Sequence, residues 1–252
     1  MSVVEFSTKL YYRSRAQRLY SFLYGQYVSW TTWATCSRNY EAEIDPFRLL
    51  YIDPAEVRRR RTKELKQQFH HPDEVSEVKG GSWDTLVRPF EESDMYRSFK
   101  AHFKNGVPWE ETEFYQNRVR LIEDGKVRWG CESKEDFDDR CDELDTLYNF
   151  IESNGYLTQR ELRNEYDKWP SDRAIHWSRP ADLLEVTVDI DRHGQFIFHE
   201  GRNRMTIAKL LDIDTIPVRV KGRHKTWQLD RDRFVRGNRE DLNPEHPDLE
   251  YL

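Results

Sequence analysis

The stretch LEVTVDIDRHGQFIFHEGRNRMTIAKLLDIDTIPVRV, residues 184–220, decides the fold. Residues 184–190 alternate between apolar and polar side chains, which predicts a half-buried strand. A polar turn and a second strand at 195–198 follow, so the two strands predict a β-hairpin. A helix over 205–211 and a third strand over 216–220 come next. This order of elements predicts an α/β fold with a mixed sheet.

The turn between the second strand and the helix is Glu200-Gly201-Arg202-Asn203-Arg204. A helix N-terminus presents unpaired N–H groups and a partial positive charge, so it favours anions. Glycine lets a phosphate approach the backbone, arginines add bidentate contacts, and an asparagine can cap the helix. The turn therefore predicts a phosphate site. The alternative is that both arginines pair with the nearby carboxylates of Glu200, Asp212 and Asp214.

The N-terminal region predicts a long helix over residues 8–35. Aromatic and leucine side chains recur there at helical spacing, at Leu10, Tyr11, Leu19, Tyr20, Leu23 and Tyr27. We expect this stripe to dock the helix on its own domain. The alternative is a basic amphipathic helix that contacts a membrane or a nucleic-acid backbone through Arg13, Arg15 and Arg18.

A basic run follows a short strand predicted at 47–52. It consists of Arg58, Arg59, Arg60 and Arg61. Four consecutive arginines are typical of a phosphate or nucleic-acid patch or of a solvated helix face. The nearby pair His70-His71 has no Cys or carboxylate partner at metal-ligand spacing, so no metal site is predicted.

Two further segments predict helices. Residues 88–117 are rich in aromatic side chains and predict packed helices with a break at 106–108. The acidic segment 132–145 predicts an exposed helix face that continues along an apolar stripe and ends at Asn154-Gly155. The stripe consists of Leu144, Leu147, Tyr148 and Ile151.

Composition limits the classes of function. The 252 residues include 40 basic and 46 acidic side chains, so the net charge of −6 excludes a polycation that coats nucleic acid. An aromatic content of 13% argues against disorder. No apolar run reaches the ~18 residues of a membrane span, and no apolar signal core opens the chain. Three cysteines without a CxxC pair indicate a reducing compartment, so we expect a cytoplasmic protein.

The motif EGRNRMTIAKL at 200–210, followed by IPV at 216–218, resembles the ParB/sulfiredoxin superfamily. A second segment, LYNFIESNGYLTQ at 147–159, is similar to that family's helix ending in a glycine followed by a glutamine. The resemblance covers residues 140–225 and extends to the strand near 46–57.

The resemblance implies a nucleotide-phosphate site at Gly201, Arg202, Asn203 and Arg204, with Gln159 as a neighbour. It implies a nucleoside triphosphate with Mg²⁺ as the ligand. Three features depart from the family. Few residues follow Val220, which leaves little room for a helix-turn-helix; the turn lacks the reactive cysteine of sulfiredoxins; and roughly ninety residues separate the first strand from the 147–159 segment.

The resulting organisation has five parts. Residues 1–45 are an N-terminal helical extension, 46–57 hold the first strand of the ParB-like domain, 58–139 are a mostly helical aromatic-rich insertion, 140–228 are the nucleotide-binding core, and 229–252 are a C-terminal tail.

Three functions fit this organisation. The first is an NTPase or phosphotransferase with Glu200 as the catalytic base or metal-coordinating group and Glu56 as a second candidate. The second is a ParB-like DNA-associated protein or nuclease that uses Arg58–Arg61, the Arg13/Arg15/Arg18 face and the basic residues Arg219, Lys221, Arg223 and Lys225. The third is a nucleotide-gated switch without turnover.

Overall fold

A seven-stranded mixed sheet forms the centre of the molecule. The computed structural model describes residues 3–66, 69, 71–72, 74–127, 129–165 and 179–252, and the side chains of these except 3–15, 17, 63, 66 and 165. The strands are β1 (Leu49–Ile52), β2 (Arg59–Arg61), β3 (Glu77–Lys79), β4 (Val87–Pro89), β5 (Val186–Ile190), β6 (Phe196–Glu200) and β7 (Ile216–His224). The predicted α/β class is confirmed.

The helices are α1 (Val3–Thr35), α2 (Lys63–Lys66), α3 (Asp94–Asn105), α4 (Glu113–Glu123), α5 (Lys134–Asn154), α6 (Gln159–Glu165), α7 (Arg202–Leu210) and α8 (Lys225–Val235). Short 3-10 turns lie at Ser37–Asn39, Pro54–Glu56, Trp83–Thr85, Trp109–Glu111 and Ala181–Leu184. In the part of the chain that the structure describes, no helix combines the length and apolar character that crossing a bilayer requires.

The strands lie in the order β1-β7-β5-β6-β2-β4, and β3 also pairs with β7. The predicted β5–β6 hairpin is confirmed as an antiparallel pair. Its turn closes at Gly194, where φ is +81° and a Cβ would lie 2.8 Å from the Trp227 ring, so only glycine fits. β7 runs parallel to β5, and β2 runs parallel to β6. The hairpin, helix α7 and strand β7 therefore form the unit that the sequence predicts.

The main hydrophobic core lies between one face of this sheet and helices α3, α4, α5 and α7. Phe198 and Val188 come from the sheet, whereas Phe99, Phe114 and Phe137 come from the helices, and all five side chains are buried. The predicted stripe of α5 is buried in this core, and the helix ends before Gly155 as expected. The predicted break between helices is also confirmed, since α3 ends at Asn105 and α4 begins at Glu113.

The segment 58–139 is not helical throughout. It contributes β2, β3 and β4 to the central sheet, in addition to α2, α3, α4 and the start of α5. The interpretation of Arg58–Arg61 as a helix face is wrong, because residues 59–61 form β2 between β6 and β4. A run of arginines lacks the apolar alternation that predicts a strand.

The interpretation of α1 is wrong in its orientation. Its predicted docking side chains Leu19, Leu23 and Tyr27 are 60%, 55% and 47% exposed. The helix packs through the opposite face, where Val28 and Thr32 are buried. Small and β-branched residues make this contact, whereas the expectation followed the large apolar side chains. The structure does not describe the side chains of Leu10, Tyr11, Arg13 and Arg15. His70 lies outside the described residues.

Candidate functional site

The N-terminus of α7 differs from those of the neighbouring helices. Ser93, Thr112 and Ser133 cap α3, α4 and α5 by accepting hydrogen bonds from backbone amides. At α7 the N-cap is Gly201, and no side chain caps the first turn, so Asn203 does not fill the capping role expected of it. The amides of this first turn are thus available to an anion.

Gly201 is required for the local backbone. Its φ is +88°, and a Cβ at this position would lie 3.0 Å from the Cα and Cγ2 atoms of Val186 in β5. We expected glycine here because a ligand approaches the backbone. The structure gives a different reason, which is the left-handed turn and the close contact with β5.

The two arginines of the turn do not converge on one point. The Arg204 guanidinium is buried and donates to the Leu184 carbonyl and, at 3.2 Å, to Glu185 Oε2. The carboxylate partner expected for it was Glu200, Asp212 or Asp214, and the structure supplies Glu185 instead. Arg204 therefore holds α7 against the segment that precedes β5.

Gln159 lies close to Arg204 through the same carboxylate. Its backbone N–H donates to Glu185 Oε1 at 2.5 Å, while its buried Nε2 has no hydrogen-bond partner among the described residues. The hydroxyl of Tyr156 is buried beside Arg204 and is hydrogen-bonded to its side chain. Burial raises the pKa of Glu185 to about 7, and the positive charge of Arg204 only partly opposes this effect. The predicted neighbourhood of Gln159 and the arginine turn is thus present, with Glu185 at its centre.

Arg202 belongs to a second group of charges, which we call the arginine cluster: Arg60 from β2, Arg118 from α4 and Arg202 from α7. Burial lowers the pKa of Arg202, and the positive charges of Arg60 and Arg118 lower it further, while Asp94 at the start of α3 acts in the opposite direction. Three arginines from three elements therefore share one partly buried region with one recorded carboxylate.

The arginine cluster is poorly compensated within the chain. Its closest recorded ion pair joins Arg118 Nη2 to Asp94 Oδ2 at 3.8 Å. The Nε atoms of Arg60 and Arg118 are buried and have no hydrogen-bond partner among the described residues. The Arg202 side chain likewise makes no hydrogen bond or ion pair with the described part of the chain. Buried donors without acceptors are costly, so this arrangement favours a bound anion.

Arg59 and Arg61 face the side of β2 opposite to Arg60. Arg59 pairs with Asp191 at 2.6 Å. Arg61 binds Asp189 through two nitrogens, and Asp189 and Arg61 are 0% and 5% exposed. Arg58 is exposed. The run as a whole is thus not one surface patch.

Three residues assigned to the nucleic-acid alternative also lie inside the protein. Arg219, Lys221 and Arg223 are at most 3% exposed. They bind the Glu74 carbonyl, the Glu77 carboxylate and the Asp248 carboxylate, respectively. They cannot belong to an exposed basic surface, because β7 is buried on both of its faces.

The expected catalytic group Glu200 is exposed at the end of β6. Glu56, the second candidate, is exposed as well. Among the described residues, no group of three or more His, Cys, Asp or Glu side chains is placed to hold a metal ion. Cys36, Cys131 and Cys141 are buried, and no two of them form a disulfide.

The comparisons add no relatives. No protein family model, curated protein or solved structure matches this chain. The resemblance to the ParB/sulfiredoxin superfamily therefore stays an interpretation of residues 140–225, and the site must be judged by its own geometry.

Sequence reasoning missed Arg118 and Asp94. Arg118 is one of several charged residues on α4, and Asp94 follows an ordinary serine cap. Their positions become informative only when α3, α4 and α7 pack together. Arg60 was named, but as part of a surface run and not as the inward member of a strand.

Proposed function

We propose that this protein binds a nucleotide through its phosphates, at the arginine cluster and the uncapped N-terminus of α7. The observation that carries the proposal is the excess of partly buried positive charge: Arg60, Arg118 and Arg202 face one recorded carboxylate, Asp94. A phosphate group supplies several acceptors and the negative charge that the chain lacks there.

The residues fit a phosphate in a specific way. Arg202 lies in the first turn of α7, where the backbone amides and the helix dipole both favour an anion. Arg60 and Arg118 would contribute guanidinium donors from β2 and α4. Arg204 would act indirectly, since its bonds to Glu185 and the Leu184 carbonyl fix the position of α7.

A Mg²⁺ ion that accompanies a nucleotide takes most of its ligands from phosphate and water and one or two from protein carboxylates. Asp94 and Glu200 are the carboxylates that could serve it here. When bound, the ion would neutralise phosphate charge. Binding is tested by thermal shift, and a separate measurement of phosphate release or transfer decides whether the bound nucleotide reacts.

The test is a thermal-shift titration with ATP, CTP, GTP, ADP and inorganic phosphate, each with and without magnesium. At least one nucleotide should raise the melting temperature of the wild-type chain, because a ligand that binds the folded state stabilises it. Arg60→Met and Arg202→Met should each remove this rise. Arg160→Met, at a 69% exposed side chain paired with Asp182, is the matched control and should retain it.

The absence of a shift with every nucleotide would overturn the proposal, as would a full shift in both cluster variants. Release of phosphate from the nucleotide that binds would identify an NTPase. Binding without release or transfer would identify a nucleotide-gated switch.

A further inference from the structure

The largest exposed apolar feature of the described surface is one face of α1, which we call the α1 stripe: Leu19, Phe22, Leu23, Tyr27, Trp30 and Trp33. These side chains are between 47% and 65% exposed. At 100° per residue, five of them lie within roughly 100° of helix circumference, and Tyr27 lies at its edge. An apolar face of this kind normally marks an interaction surface.

The stripe is held outward by the packing of the opposite face. Thr32 Oγ1 accepts a hydrogen bond from the Ser76 backbone at 3.2 Å, and Cys36 Sγ donates to the Ser76 carbonyl at 3.3 Å. Gly25 and Val28 are buried on the same side. The helix therefore cannot turn its large side chains inward without breaking these contacts.

We propose that the α1 stripe pairs with the α1 stripe of a second copy of this chain, and so forms a two-fold symmetric dimer. This inference does not depend on nucleotide binding. A two-fold interface places the same surface on both partners, so the surface must be complementary to itself. Arg18 is the only charged residue between residues 16 and 35, so two such faces meet without charge repulsion.

The area and spacing both fit a second helix. Six side chains, each about half exposed, present roughly 600 Å² per copy, since a large aromatic side chain presents about 150–250 Å². Two copies would bury roughly 1,200 Å², which is the lower limit for specific interfaces. Residues 16, 19, 23, 26, 30 and 33 also follow the alternating spacing of three and four that forms a helix–helix seam.

A membrane surface fits less well. Helices that lie on membranes carry lysines and arginines along their polar face. Here the charged residue of the 16–35 segment is Arg18 alone, and the face opposite the stripe is occupied by the domain itself. Residues 16–35 therefore lack the cationic flank that an anionic bilayer would attract; Arg13 and Arg15 lie before them, and their side chains are outside those that the structure describes.

Side-chain size favours an antiparallel pair. In that arrangement Leu19 faces Trp30 of the second copy, and the small Ala16 faces its Trp33. A parallel pair in register would instead place each tryptophan against its own counterpart. Large side chains pack best against small ones across a helix seam.

The test is sedimentation equilibrium of the full chain over a wide range of micromolar concentrations. The wild type should approach twice its 30.5 kDa monomer mass. The double variant Leu23→Glu/Trp30→Glu should remain monomeric with an unchanged circular-dichroism spectrum. Leu229→Glu, at a 45% exposed leucine on α8, is the control and should dimerise like the wild type.

A monomeric wild type would overturn the proposal. If that monomer sedimented with phosphatidylserine vesicles, the result would favour a membrane surface as the partner of the α1 stripe. A dimeric double variant would also overturn it. For the orientation, Leu19→Cys mixed with Trp30→Cys should form a disulfide-linked dimer, while Trp30→Cys alone should not. Self-linkage of Trp30→Cys would overturn the antiparallel arrangement; the three native cysteines are buried.

Discussion

Arg60 and Arg61 are neighbours in one run of arginines, yet they lie in opposite electrostatic environments. Arg61 points to the face of β2 where Asp189 and His199 lie, and its guanidinium is fully engaged there. Arg60 is paired in register with Phe198, on the face of the main core, and its buried Nε has no partner in the described residues. The charge of Arg61 is thus compensated by Asp189 within the chain, whereas Arg60 keeps a buried donor without an acceptor in the described residues.

The difference teaches how to separate structural from ligand-binding cations in an Arg-rich protein. The buried charge of Arg61 is neutralised by Asp189, and Arg223 and Arg231 share Asp248; both carboxylates are 0% exposed. In the described part of the chain, the arginine cluster has one ion pair, which joins Arg118 to Asp94 at 3.8 Å, and the Asp94 side chain is 30% exposed. A cation without a matched carboxylate is the more informative one for function.

The largest expected effect comes from breaking the Arg61–Asp189 pair. Asp189→Asn should lower the free energy of unfolding by about 3–5 kcal/mol, because it leaves the Arg61 charge buried without a counter-ion. Denaturant titration measures this loss. Asp94→Asn is the matched control in the cluster and should change the stability by less than about 1 kcal/mol. Equal losses in the two variants would contradict the comparison.

The Arg61–Asp189 pair also makes the free energy of unfolding depend on pH in the acid range. Burial raises the pKa of Asp189, but the positive charge of Arg61 and the contact with His199 lower it overall. A carboxylate with a lowered pKa in the folded state stabilises the protein at neutral pH, and this contribution is lost as the pH falls through the pKa. The acid-induced loss should therefore be smaller in Asp189→Asn.

An intermediate effect is expected at Glu185, the partner of Arg204. Its pKa rises from an ordinary 4.5 to about 7, so the folded state holds a proton that the unfolded state has released. The resulting stability is present below pH 4.5 and is lost as the pH rises through 7, by roughly 3 kcal/mol. Glu185→Gln should flatten this part of the stability–pH profile. A profile with the same slope in both proteins would show that Glu185 is ionised throughout.

The smallest effect is expected at Arg60 without ligand. Arg60→Met removes a positive charge close to Arg202 and keeps an apolar side chain of similar length. The stability should therefore stay the same or increase by up to about 1 kcal/mol. Calorimetry in a buffer without phosphate measures this change in stability. A loss as large as that of Asp189→Asn would mean that Arg60 has a structural role like that of Arg61.

The sequence predicts the elements whose periodicity is local. The strands β5 and β6, the glycine-led entry to α7 and the apolar stripe of α5 each lie within a short segment, and each is found in the structure. The prediction that β5 is half-buried is wrong, because all five of its residues are buried between layers on both faces of the sheet. The neighbourhood of Gln159 and Arg204 also follows from the chain, although the bridging role of Glu185 does not.

The strand β2 and the roles of its arginines could not be predicted, because they depend on residues that are far away in the sequence. β2 is built of arginines, and two of them, Arg59 and Arg61, are neutralised by Asp191 and Asp189, more than a hundred residues later. Without those carboxylates in view, the run resembles a surface patch. The exposed side of α1 was missed for the opposite reason, since large apolar side chains normally indicate the buried face of a helix.

The pairing of β2 with β6 and of β1 with β7 has a consequence for folding. A fragment limited to 140–228 would keep only the strands β7, β5 and β6 and would expose both edges of that small sheet. In the full chain, the register Arg59↔Ile197 requires a loop of more than a hundred residues to close before the strands can meet. The protein is therefore expected to fold slowly. Until β1 and β2, from the first ninety residues, pair with β7 and β6, the two edges of this sheet stay open to aggregation.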